Sequence, residues 1–137
     1  MCRFLLFLYQ NKYRMLYPLK FTHIYKDKIW GGTKFRTILG RNDVKTDTCG
    51  ESWEISAVQD NISIVSNGFL KGNSLQEIIE VYMDEIVGQK VYEKFGIEFP
   101  LLIKFLDTKD VLSVQVHPDD KIAKERHKAY GKTEMWY

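Results

Sequence analysis

The sequence is poor in the residues that mark disulfide-rich or strongly charged proteins. It contains two cysteines, Cys2 and Cys49, and no Cys-x-x-Cys pair. Two cysteines are too few for a disulfide framework, and nothing in the sequence supports a bond between them. Because reduced cysteines are typical of the cytosol, we expect a cytoplasmic location. The 20 basic and 18 acidic residues are scattered along the chain, with a formal net charge of +2. A nearly neutral chain gives no electrostatic reason to expect a nucleic-acid or membrane partner.

Long apolar runs are also absent. The run near the N-terminus, Phe4–Tyr9, is six residues long and no small-residue cleavage site follows it. Because this run is too short to cross a bilayer and lacks a cleavage site, we expect residues 1–14 to be an extension outside the fold. From the chain length we expect residues 15–137 to belong to one domain. No GxxxxGK[ST] or GxGxxG motif occurs, so the chain lacks the glycine-rich loops that bind nucleotide phosphates.

What the sequence does contain favours β-structure with a few helices. Aromatic residues make up 14% of the chain, and short, partly alternating apolar segments are separated by turn residues. Ser74 and Glu77 form a capping-box pattern, and the apolar spacing after them predicts a helix over residues 74–88. A second, short helix is predicted from Asp119 or Asp120 to about residue 129. Gly31-Gly32 predicts a turn, and the strands are expected at residues 51–56, 61–66, 101–106, 112–117 and 131–137.

Two of these predicted strands carry side chains that suit a metal ion. Alternate residues of a strand share a face, so Gln115 and His117 project together, and Lys132 and Glu134 do the same on the other strand. If the two faces meet, an amide oxygen, an imidazole nitrogen and a carboxylate can converge on zinc or another divalent metal. Two simpler interpretations remain open: His117 as an ordinary strand histidine, and Lys132–Glu134 as a plain ion pair.

Several sequence blocks, in order, resemble one enzyme family over most of the chain. The blocks are Tyr17-Pro18-Leu19, Ile29-Trp30-Gly31-Gly32, Gly50-Glu51-Ser52-Trp53-Glu54-Ile55-Ser56, Phe99-Pro100-Leu101-Leu102-Ile103-Lys104, Leu112-Ser113-Val114-Gln115-Val116-His117-Pro118 and Gly131-Lys132-Thr133-Glu134-Met135-Trp136-Tyr137. Together they resemble the zinc-dependent mannose-6-phosphate isomerases of cupin fold, in particular the short bacterial form.

The resemblance implies a portion of a cupin-type (jelly-roll) β-barrel with attached helices, and an isomerase that interconverts mannose 6-phosphate and fructose 6-phosphate. It implies one zinc ion bound by Gln115, His117 and Glu134, and a sugar-phosphate pocket lined by Ser113 and Lys132. The family's fourth ligand, a histidine, and an arginine implicated in catalysis lie beyond residue 137, so the chain resembles an N-terminal half. A non-catalytic metal- or sugar-phosphate-binding cupin module, and a half that needs a separately encoded C-terminal half, remain the alternatives. No residue is identified as the general base.

Overall fold

The computed structural model describes residues 16–128 and 130–137. The predicted extension at residues 1–14, and Cys2 within it, lie outside the described residues. The helices and strands in chain order are β1 (Ile24–Gly32), α1 (Lys34–Thr37), β2 (Cys49–Ile55), β3 (Ala57–Val58), β4 (Asn61–Ile62), α2 (Leu75–Tyr82), α3 (Asp84–Val87), α4 (Gln89–Phe95), β5 (Ile103–Leu106) and α5 (Asp120–His127).

The main sheet is antiparallel and has the strand order β1-β2-β5, so β2 is its central strand. Tyr25 pairs with Ser52, and Ser52 also pairs with Phe105 on the other side. Glu51 and Trp53 project from the opposite face, since side chains alternate along a strand. The predicted strands over residues 51–56 and 101–106 are confirmed as β2 and β5, with slightly different ends.

A smaller antiparallel sheet pairs β3 with β4. The strand predicted over residues 61–66 continues past β4 as isolated bridges, in which Val65 pairs with Phe21 and Ile64 with Ser74. The extended segment before β1 therefore lies against this region, where Ser66 donates its N–H to the carbonyl of Lys20 at 2.7 Å.

The predicted continuous helix over residues 74–88 is wrong in one respect, because it breaks at Met83. Ser74 caps α2 through the predicted capping box with Glu77, but Met83 adopts φ 51°, and α3 starts at the next residue. Asp84 and Glu85 occupy the first turn of α3, where the positive end of the helix dipole favours them. In a longer helix the same carboxylates would lie near the unfavourable C-terminal end.

Among the described residues, the hydrophobic core forms two clusters. Val65, Leu70, Ile78 and Tyr82 form the larger one, so the apolar stripe of α2 packs into the core as its spacing predicts. Phe35, Val44 and Cys49 form the smaller cluster beneath the main sheet. Cys49 is fully buried and has a free thiol.

Gly31 and Gly32 do not form the predicted turn but end strand β1. A β-carbon at Gly31 would overlap the carbonyl of Thr48, and one at Gly32 would lie 2.6 Å from the Oδ1 atom of Asp107. The missing side chains allow a close approach of neighbouring chain rather than a positive φ angle. The predicted turn is therefore wrong, although both positions do require glycine.

The C-terminal part differs most from the prediction. The strands expected over residues 112–117 and 131–137 are not formed, whereas the short helix between them is confirmed as α5. Strands need a neighbouring ladder, and a single backbone hydrogen bond joins the two segments, from Lys132 N–H to the Pro118 carbonyl at 3.3 Å. Antiparallel sheets with attached helices are therefore present, but the described residues do not close a barrel. Across residues 16–128 and 130–137, no helix is both long and apolar enough to cross a membrane.

Candidate active site

His117 and Glu134 meet although neither lies in a regular strand. The Nε2 atom of His117 lies 2.8 Å from Oε2 of Glu134, and the two side chains are 23% and 28% exposed. Both belong to segments without regular secondary structure that flank helix α5, with His117 shortly before it and Glu134 after it. Pro118 separates His117 from the N-cap residue Asp119, whose side chain accepts the Ile122 N–H at 2.8 Å.

Lys132 reaches the other oxygen of the same carboxylate. Its Nζ atom lies 2.9 Å from Oε1 of Glu134. The hydrogen bond from Lys132, followed by that from His117, lowers the pKa of Glu134 below its ordinary value of 4.5. Glu134 is therefore held as a carboxylate, with one oxygen directed to an imidazole and the other to an ammonium group.

Ser113 and Gln115 form a separate pair. The amide nitrogen of Gln115 lies 3.1 Å from Oγ of Ser113, to which it donates a hydrogen bond. A metal ion would bind the amide oxygen, which this hydrogen bond does not use. The structure thus brings His117, Lys132 and Glu134 together. Gln115 and Ser113 contact each other, in the segment that also contains His117.

The donor atoms of His117 and Glu134 have the chemistry that zinc requires. His117 Nε2 and Glu134 Oε2 lie 2.8 Å apart, so an imidazole nitrogen and a carboxylate oxygen could reach one cation together. Within the described residues, no group of three or more His, Cys, Asp and Glu side chains is arranged to hold a metal. The predicted set contains two such residues, and its third member, Gln115, contributes an amide.

A buried ionic cluster on the main sheet was not predicted. Glu51 is buried on β2, where it accepts a hydrogen bond from the Trp53 indole at 2.7 Å and lies 3.2 Å from the Lys104 ammonium. Burial raises the pKa of Glu51, but the Trp53 hydrogen bond and the charges of Lys104 and Lys28 outweigh burial and lower it overall. The sequence offered one indication of this cluster: Glu51 is the one charged residue between Cys49 and Trp53 of β2.

A second polar network lies on the opposite face. Arg41 donates to both carboxylate oxygens of Glu54, at 2.8 and 3.3 Å, and Nε2 of His23 lies 3.2 Å from the same carboxylate. Tyr25 joins this network, because its hydroxyl donates to Asp43 at 3.0 Å and lies 3.2 Å from the His23 ring. Burial, reinforced by Asp43, raises the pKa of Tyr25 to about 12. His23 has no partner at ligand spacing in the sequence, and only strand pairing reveals its acidic neighbour.

Two cavities lie beside helix α1, away from the predicted site residues. Their volumes are about 530 and 460 Å³, and both are lined by Lys34 and Asp107. Asp107 is buried and accepts the backbone N–H of Lys34, while its Oδ1 atom is enclosed and has no hydrogen-bond partner among the described residues. Because that oxygen is not accessible, Asp107 supports the start of α1 rather than offering a ligand to the cavity.

Residues 18–134 match the family described as "Phosphomannose isomerase type I, catalytic domain". The chain belongs to this family. The match begins before β1 and reaches Glu134, so it includes both segments around α5.

Curated and solved relatives agree with the family match. A mannose-6-phosphate isomerase of Streptococcus mutans is 44% identical over 110 residues, which are 80% of this chain and 33% of the relative. Mannose-6-phosphate isomerase ManA of Bacillus subtilis is 40% identical over 121 residues, which are 88% of this chain and 36% of the relative. The crystal structure of a mannose 6-phosphate isomerase from Bacillus subtilis superimposes with a TM-score of 0.71 at 39% identity, covering 85% of this chain and 35% of that one.

These relatives confirm the predicted fold class, mainly β of cupin type with attached helices. The matched region spans about a third of the length of these relatives.

Proposed function

We propose that this chain supplies the metal- and substrate-binding part of an isomerase that interconverts mannose 6-phosphate and fructose 6-phosphate. The observation that carries the proposal is the family match over residues 18–134, which contains all the predicted site residues. The contact between His117 and Glu134 supports it, because two donors that suit zinc meet within that match.

Gln115, His117 and Glu134 would hold one zinc ion. A bound zinc ion would polarise the carbonyl and hydroxyl oxygens of the sugar. Glu134 is suited to a double role, since Oε2 faces His117 while Oε1 faces Lys132. Binding a cation through Oε2 would leave the ion pair with Lys132 in place, and Lys132 would then lie beside the metal-binding atoms.

The side chains around this point have separate roles in the proposed reaction. Isomerisation moves a proton between C1 and C2 of the open-chain sugar through an enediol. Lys132 would bind the phosphate or the developing oxyanion as a point charge, because its side chain is half exposed and, among the described residues, its ammonium group contacts one carboxylate oxygen. Ser113 would contact a sugar hydroxyl, and its exposure permits this.

Exposed apolar side chains near the proposed site form a surface on which the rest of the family fold could pack. Val111, Val114, Val116 and Met135 are each more than 90% exposed, and they lie on the irregular segments that form no ladder. We propose that the rest of the family fold, either in the same polypeptide or encoded separately, packs there, completes the zinc site with its histidine and supplies the arginine implicated in catalysis. The free, buried thiol of Cys49 agrees with the cytoplasmic location that we propose.

The test is a coupled assay of fructose 6-phosphate formation by the purified, zinc-loaded chain, alone and with the portion of a bacterial relative that lies outside the match. We expect slow turnover alone and at least tenfold faster turnover with the added portion. His117→Ala should remove this activity, whereas His127→Ala is the matched control, because His127 is an exposed histidine at the end of α5.

Turnover that survives His117→Ala would contradict the assignment of the site. Zinc binding without turnover, even with the added portion, would instead favour the non-catalytic cupin module.

A further inference from the structure

Helix α5 separates the two segments that carry the proposed metal ligands, so its ends determine how those segments meet. Two adjacent acidic residues begin this helix and have different partners. Asp119 accepts the Ile122 N–H at 2.8 Å and caps the helix. Asp120 does not cap it. Its Oδ1 atom accepts the N–H of Gly131, also at 2.8 Å, across a separation of 11 residues.

This hydrogen bond ties the chain that leaves α5 to the residue that begins it. At the end of the helix Lys128 adopts a left-handed conformation, with φ 52° and ψ 35°, which turns the chain back. Gly131 then reaches Asp120, and the next residue, Lys132, donates its N–H to the carbonyl of Pro118 at 3.3 Å. Two successive backbone N–H groups after the helix are thus bound to two residues around its start.

The tie needs glycine at position 131. A β-carbon there would lie 2.5 Å from the backbone nitrogen of Asp120 and 2.6 Å from the carbonyl carbon of Asp119. These neighbours are backbone atoms and cannot rotate away, so a side chain at position 131 would push the returning segment off the helix. The close approach explains why Gly131 precedes Lys132 and Glu134.

Glu134 is three residues beyond the tie, so the position of Gly131 restricts it to a radius of about 10 Å. Without the tie, the segment after α5 would retain the weak bond to Pro118 and the side-chain contacts of Glu134 itself. Ordering that segment would then have to occur when the metal binds, and its entropic cost would weaken binding.

We propose that Asp120 is a positioning residue, which through Gly131 holds Glu134 against His117 and so preorganises the metal ligands. The importance of this arrangement for metal binding rests on the proposed function, whereas the arrangement itself is independent of it. The variants that test it are Asp120→Ala, which removes the acceptor, Asp120→Asn, which keeps an oxygen acceptor, and Gly131→Ala, which blocks the approach. Asp119→Ala is the matched control, since it removes a carboxylate from the neighbouring position.

The first measurement uses the metal-free chain and isotope-edited NMR. We expect a nuclear Overhauser contact between the His117 ring and the Glu134 methylene protons, and slow exchange of the Gly131 amide. Both should be retained in Asp120→Asn and lost in Asp120→Ala and Gly131→Ala, while the core resonances of all variants stay unchanged. Asp119→Ala should preserve the Gly131 protection and affect the first turn of α5 instead. Retention of the His117–Glu134 contact in folded Asp120→Ala would overturn the proposal.

The second measurement is the zinc dissociation constant by calorimetry. We expect Asp120→Ala to raise it about 10- to 100-fold, the range that residues supporting metal ligands typically show, and Asp120→Asn to restore most of the affinity. Unchanged affinity in Asp120→Ala would overturn the link to metal binding. If the unmodified chain binds no zinc, the proposed function fails, while the NMR contacts still decide whether Asp120 positions Glu134.

Discussion

Strand β2 and the segment from Val111 to Pro118 were both predicted as strands, but only β2 has ladder partners. β2 pairs with β1 on one side and with β5 on the other, and much of it is buried. The segment from Val111 to Pro118 belongs to no ladder, and several of its apolar side chains are almost fully exposed. Alternating apolar residues therefore do not by themselves place a segment in a sheet.

The proposed site is therefore stabilised differently from the main sheet. The residues that would bind metal are positioned by a few local contacts: a helix cap, a hydrogen bond to Gly131 and the ionic contacts of Glu134. The core of the main sheet is held by ladders and by buried apolar area, which resist local opening. The two regions should therefore respond differently to the same perturbation.

The largest expected difference is in amide hydrogen exchange. Amides in the middle of β2 should exchange only through near-global unfolding, which slows them by a factor of about 10³ or more in a domain of ordinary stability. Amides between Val111 and Val116 should exchange almost as in an unfolded peptide, because no ladder protects them. Equal protection in both regions, measured by NMR or mass spectrometry, would break the comparison.

Truncation of a side chain should distinguish the regions next. Ile78 is fully buried in the larger core cluster, so Ile78→Ala should lower the free energy of unfolding by about 2–5 kcal/mol. Val116→Ala should change it by less than about 0.5 kcal/mol, because Val116 is 95% exposed. Urea denaturation followed by circular dichroism measures both, and a large effect of Val116→Ala would show that this segment is packed in solution.

We expect low pH to destabilise the main sheet by protonating Glu51. Its pKa is lowered in the folded chain, so its carboxylate stabilises the fold fully above the ordinary value of 4.5 and loses this effect as pH falls through the lower, folded pKa. Glu51→Gln should cost about 1–3 kcal/mol at neutral pH and flatten this acid dependence. The exposed Glu98→Gln serves as a control in the same denaturation series, and an unaltered acid limb in Glu51→Gln would contradict the assignment.

The smallest expected effect is at the start of α2. Ser74→Ala removes the oxygen that accepts the Glu77 N–H at 3.2 Å, and should cost about 1 kcal/mol. Ser74→Asp keeps an acceptor and should recover most of the loss in thermal denaturation. A null result for Ser74→Ala would mean that tertiary packing alone holds this helix end.

Local patterns predicted those elements whose partners are close in sequence. The capping box at Ser74, the short helix after Pro118 and strands β2 and β5 were all correct, because caps and alternation are local signals. The helix break at Met83 was missed, since apolar spacing continues across it and the dipole preference of Asp84 and Glu85 is a weaker signal.

Prediction was harder where the partner is distant. The two strands expected around α5 were wrong because alternation indicates a suitable face and says nothing about a ladder. The pairing of Glu51 with Lys104 and that of His23 with Glu54 depend on strand register, which a single sequence does not reveal. Gln115, His117, Glu134, Ser113 and Lys132 were proposed from strand faces and family resemblance, and they stay a prediction that the experiments above test.

The close approach of Gly32 to Asp107 links two positions that are far apart in the sequence. A β-carbon at position 32 would overlap the carboxylate of Asp107, which in turn accepts the N–H of Lys34. The side chain at position 107 therefore limits which residues position 32 can accept during evolution. A larger residue at position 32 becomes tolerable only after position 107 has shortened, and that change must come first. Among homologues, a residue larger than glycine at the end of the first strand should occur together with a residue shorter than aspartate after the last, and the larger residue introduced alone should be more harmful than both changes together.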